Sequence, residues 1–80
     1  MNEKDILREI IRLKGFNQTM LAEKAGMKRQ SNVAEMLRSR NLRVDNLVKL
    51  LDALECDLLI RSREPIGNDD SPEWKVEITE

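Results

Sequence analysis

QTMLAEKAGMKRQSNVAEML, residues 18–37, holds two amphipathic segments broken at Gly26. In the first, Asn17 stands where a side-chain oxygen can cap a helix, Leu21 and Ala22 share an inward face, and Gly26 supplies the residue type that ends helices. The second is stranger. Met27, Val33, Met36 and Leu37 are apolar, while Lys28, Arg29, Gln30, Ser31, Asn32 and Glu35 crowd between them. A helix over about Gln30 to Arg38 would bury Val33 and Met36 or Leu37 and leave its other face rich in donors and acceptors. That face is either solvated surface or a reading head for an acceptor-rich partner.

Helical spacing extends in both directions from this pair. Upstream, Asn2 caps a predicted helix carrying Ile6, Leu7, Ile10, Ile11 and Leu13, with Gly15 placed to stop it. Downstream, Leu47, Leu50, Leu51 and Leu54 recur at intervals of three and four, predicting a helix over about Val44 to Glu55, with Leu42 and Phe16 filling gaps between helices. After Cys56 the period changes. DLLIRSR (57–63) alternates weakly, and EWKVEIT (73–79) sets Trp74, Val76 and Ile78 against Lys75, Glu77 and Thr79, so both read as strands. The intervening PIGNDDSP (65–72) is full of turn formers and too long for a tight hairpin loop, and it reads as a flexible or open connection. Two strands alone are marginal in water, so this segment needs a helical face or another chain.

Composition narrows the function. Eighty residues make one small domain with a modest core, which favours oligomerisation. With no His, one Cys and no Tyr, the usual general base, the commonest metal ligand and any intramolecular disulfide are missing, so the chain is not expected to be an enzyme, and no cofactor or metal is implied. No apolar run nears the ~20 residues of a membrane span, and MNEKDILREI lacks a signal-peptide core, which points to a cytoplasmic protein without a membrane partner. The net charge of −1 hides a division. Residues 1–63 hold 13 Lys or Arg against 9 Asp or Glu, and residues 64–80 hold one Lys against 6 acids. Phosphate binding needs a local basic face rather than a basic total, so the balance permits a nucleic-acid partner.

The order of Gln18, Leu21-Ala22, Gly26-Met27, Gln30-Ser31-Asn32-Val33 and Leu47 to Ala53-Leu54 resembles the Cro/C1-type (XRE-like) helix-turn-helix family of phage and bacterial regulators over roughly residues 5–55. The resemblance implies a mainly α, lambda-repressor-like domain of four to five helices at residues 1–56, binding double-stranded DNA as a sequence-specific transcriptional regulator, most simply a repressor. It also implies that Gln18 holds a phosphate and that Gln30, Ser31 and Asn32 touch base edges in the major groove. Their chemistry suits that role: Gln bonds bidentately to adenine, and a Ser hydroxyl serves several bases. Two departures stand out. The turn after Gly26 carries Lys28-Arg29 and is one residue longer than the family's usual turn, and Arg43 replaces the Ser or Thr that often caps the fourth helix.

LDALECDLLIRSRE (51–64) resembles HipB-type antitoxins, in which a strand after the fourth helix crosses a two-fold axis to pair with its copy. This implies a short C-terminal β element, strand or hairpin, at residues 57–80, with Leu58, Leu59, Ile60 and Trp74 serving a homodimer. An unpaired strand edge is a liability that pairing removes, which supports the same reading. Two functions compete: a dimeric DNA-binding repressor, and an antitoxin that neutralises a protein toxin through residues 57–80 and binds DNA to autoregulate.

Single residues carry alternatives as well. Lys28, Arg29, Arg38 and Arg40, with Arg43, are a solvated face or phosphate contacts, and their bunching around one helix favours contact. Arg12, Lys14 and Lys24 read as plain surface. Glu35 accepts from cytosine or stands outside the contact, the latter preferred. Cys56 reads as a small buried apolar residue, and Trp74 as a packing anchor, or as a hot spot if exposed. The acidic tail is solubilising, or it mimics nucleic acid or docks on a basic partner.

Overall fold

A computed structural model describes residues 1–78 and, at Gln30, the backbone alone; Thr79, expected on the polar side of the last strand, lies outside the described residues. Four helices, α1 (Glu3–Leu13), α2 (Gln18–Lys24), α3 (Gln30–Arg38) and α4 (Val44–Ala53), precede two strands, β1 (Leu59–Arg61) and β2 (Glu73–Lys75). The helix starts follow side-chain chemistry. Asn2 accepts from the Asp5 amide at 2.9 Å while Asp5 reaches back to the Asn2 amide, a reciprocal cap, and Asn17 accepts from the Met20 amide at 2.8 Å.

Three helix ends share one device. Gly15, Gly26 and Glu55 take left-handed backbone at φ +70°, +73° and +59°. In each case the next amide reaches back over the last turn: Phe16 to the Ile11 carbonyl, Met27 to Ala22 and Cys56 to Leu51, at 2.8–2.9 Å. The residues so placed, Phe16, Met27 and Cys56, pack half-buried on the core. Sealing the helix and filling the gap between helices are therefore one event.

The core is aliphatic. Leu7, Leu21, Ala22, Val33, Leu37, Leu50, Leu51, Ala53 and Leu54 form its buried cluster, with Ile10, Ile11, Met36, Leu42, Leu47 and Leu58 packed against it. Leu37, not Met36, takes the deeper position on α3. Val48 is also buried, although it lies about 160° around α4 from Leu50 at 100° per residue. The chain beyond β2 covers that side, where Val48 and Asp52 line a cleft with Val76 and Ile78.

β1 and β2 pair antiparallel, with Leu59 opposite Lys75, Ile60 opposite Trp74 and Arg61 opposite Glu73. The connection is hydrogen-bonded rather than open: Ile66 and Asp69 exchange amide-to-carbonyl bonds of 3.0 Å around Gly67 and Asn68. Gly67 at φ +59° makes this inner turn possible, so the eight-residue segment extends the hairpin instead of breaking it. Leu58 and Val76 sit half-buried where the hairpin leaves the helices. Farther out on the same face, Ile60 and Trp74 are 59% and 52% exposed, so Trp74 is not the buried anchor that its alternation suggests.

Candidate nucleic-acid interface

α2 and α3 are joined by the sealed turn at Gly26, which lets the chain change direction and start α3 with its apolar side on the core. Val33 and Leu37 define the inward face of α3. At 100° per residue, Ser31, Glu35 and Arg38 project from the opposite side, and all three are exposed. Asn32 is half-buried and turned toward a groove of about 360 Å³ that it lines with Glu35, Met36, Ser39 and the start of α4. Thus Glu35, rather than Asn32, shares the outward face with Ser31. Gln30 opens the helix, its side chain outside the described residues.

The basic residues fall into two groups around this helix. Lys28 and Arg29 stand exposed in the turn before it; Arg38 closes it, and Arg40 follows in the loop to α4, both exposed. The helix between them is about 12 Å long. Among the described residues, none of these four cations has an ion-pair partner, whereas Arg43 is bound to Asp45 at 3.0 Å. Gln18 is the first residue of α2 and is exposed. Arg12 pairs with Glu9 at 2.6 Å and Lys24 with Glu55 at 3.2 Å, as surface residues do.

The helix heads differ in a way that bears on chemistry. Where Asn2 and Asn17 close α1 and α2, the cap positions of α3 and α4 hold Arg29 and Arg43, neither making a side-chain cap bond. Leaving a helix head without a capping side chain typically forfeits about 1 kcal/mol, and a cation there opposes the helix dipole. An anion beside Arg29 would offset both effects.

At the other end of α3, α1 supplies contacts that sequence reading did not foresee. Arg8 donates to the Leu37 carbonyl at 2.6 Å, and the Lys4 ammonium donates to the Ser39 and Arg40 carbonyls at 2.5 and 3.3 Å. Their spacing of four places both on one face of α1, but nothing local says which helix they meet. The residues expected at a dimer contact lie apart from α3, on the hairpin: Leu58 is half-buried, and Leu59, Ile60 and Trp74 are exposed. Among the described residues, no helix is long and apolar enough to cross a membrane.

The Cro/C1-type helix-turn-helix family model matches residues 7–60, more than half of the chain, from Leu7 in α1 to Ile60 in β1. No curated protein and no solved structure matches it. With four helices in family order, a sealed turn before α3 and a polar face on that helix, the chain belongs to the Cro/C1-type helix-turn-helix family of DNA-binding regulators.

Proposed function

We propose that the protein is a homodimeric, sequence-specific transcriptional repressor whose residues 1–56 bind DNA and whose residues 57–80 join two copies. α3 enters the major groove by its N-terminal end, so that the first-turn residues Gln30, Ser31 and Asn32 come nearest the base edges, Ser31 from the outward face and Asn32 from its flank, while Gln18, Lys28, Arg29, Arg38 and Arg40 hold phosphates on either side. The observation that carries this reading is the set of four cations, without ion-pair partners among the described residues, that bracket one polar helix face. The head of α3 adds to it: both α3 and α4 start at an arginine without a side-chain cap, but Arg43 is neutralised by Asp45 at 3.0 Å, while Arg29 has no such partner among the described residues and is left for an anion. The exposed Ile60 and Trp74 support the dimer, since an apolar strand face on so small a domain calls for a cover.

Selection of bound duplexes from random oligonucleotides tests it. A pseudo-palindrome with half-sites about 34 Å apart is expected, bound with log K falling by ~0.9 per decade of salt for each phosphate neutralised. Arg29→Glu should weaken all duplexes, whereas Gln30→Ala should cost ~1–3 kcal/mol on the selected sequence alone. Salt-independent affinity would make the cations surface decoration.

The antitoxin reading draws on the hairpin itself, where exposed apolar residues lie on a tail with one Lys and 6 acids over residues 64–80. Such a surface suits a basic protein partner. Co-purification of a toxin bound through residues 57–80 would favour it.

A further inference from the structure

α3 is the one helix among the described residues whose exit is not closed by a left-handed residue. α1, α2 and α4 end in Gly15, Gly26 and Glu55, each followed by the amide that seals the last turn. After α3, Ser39 is extended at φ −70° and ψ 150°, so the chain runs straight out and the final carbonyls need other donors. Ser39 serves the Met36 carbonyl with its amide at 3.3 Å and its hydroxyl at 3.0 Å. Further donors to this exit come from α1.

We propose that Lys4 and Arg8 are positioning residues that splint the end of α3 and fix the phosphate-facing Arg38–Arg40 segment relative to the helix's outward face. This rests on the DNA-binding role of α3 proposed above. Arg8 takes the Leu37 carbonyl inside the helix, and Lys4 takes those of Ser39 and Arg40 beyond it. The two ties therefore straddle the exit. Both are charge-assisted bonds made by cations at the negative end of a helix, where such groups stabilise most.

Lys4 is not a surface residue that happens to lie near. Its side chain is only 15% exposed, and its nearest carboxylate oxygen, on Glu3, is 3.8 Å away. Removing an ammonium from water is unfavourable unless its donors are satisfied, and the two carbonyls do that. With its head group committed to those carbonyls, Lys4 acts on the DNA-facing segment through the backbone. Its own anchor is firm, because the reciprocal cap at Asn2 and Asp5 fixes the first turn of α1.

Lys4→Met and Arg8→Met, singly and together, test the splint alongside Lys4→Arg and Arg8→Lys. The probes are the duplex that the unaltered chain selects from random oligonucleotides and a scrambled duplex of equal length. Removing both ties should lower affinity for the selected duplex about tenfold and for the scrambled one less than about twofold, with an unchanged salt slope. The conservative variants should restore most of the loss. In the free protein, amide exchange at residues 37–39 should quicken in the Met variants.

A salt slope reduced by ~0.9 per removed cation would make Lys4 or Arg8 a phosphate ligand instead and overturn the proposal. So would equal losses on the two duplexes, or no loss on either. If the double variant unfolds, the single variants keep the comparison readable. If the unaltered chain selects no duplex, the DNA reading of α3 fails, and unchanged exchange at residues 37–39 separately removes the splint.

Discussion

Glu55 holds the left-handed position after α4 that α1 and α2 give to glycine. A side chain there crowds its own backbone by about 1 kcal/mol, while a glycine loses part of that advantage through its freer unfolded chain. The ion pair with Lys24 spans two exposed groups and contributes little, and Lys24 keeps its place 5.4 Å from the Phe16 ring. Glu55→Gly should therefore stabilise the protein by roughly 0.5 kcal/mol, raising Tm by about 2–4 °C in a calorimetric scan. Gly26→Ala should act in the opposite direction. An added Cβ meets nothing within 4 Å, so its penalty is conformational, about 1–2 kcal/mol. Tm shifts of the same sign would show that the backbone angle does not govern these two ends.

At the scale of elements, α4 is held on two sides. Leu50 and Leu54 face the helices, and Val48 is closed off by the chain after β2. Val48→Ala should cost about 1–3 kcal/mol in urea denaturation; an effect near zero would mean that residues 76–78 do not cover it. The stripe Leu47, Leu50, Leu51 and Leu54 was legible in the sequence because its period is local, as were Asn2, Asn17 and the glycine stops. Val48 was not, because its cover comes from nearly 30 positions away. The same limit governs the candidate site. The basic bracket and the polar opening of α3 can be read in order along the chain, but the outward place of Glu35, the sideward turn of Asn32 and the ties from Lys4 and Arg8 depend on how α3 is rotated against the core. The inner turn at Gly67 was missed for a different reason: PIGNDDSP contains enough turn formers to suggest a loop, and their pairing is decided by the strands on either side.

The whole molecule extends 46 × 29 × 24 Å. The hairpin carries Ile60 and Trp74 outward, and each of its strands has one unpaired edge. If this is where two copies meet, the chain should sediment as a dimer at micromolar concentration. Ile60→Glu should then give a helical monomer with affinity for the full operator lower by about 10²-fold, because the second half-site is no longer held at high effective concentration. A monomeric native chain, with operator affinity untouched by Ile60→Glu, would remove this assembly. Trp74 has one more consequence. The chain has a single Trp and no Tyr, and that indole stands 52% exposed on the hairpin, away from the helical core. Ultraviolet emission from this protein therefore reports on the hairpin and is largely silent about the helices. Docking of a second copy or another partner over Trp74 should shift the emission to the blue, and dilution should reverse it, so the molecule carries its own optical gauge of whether that face is covered.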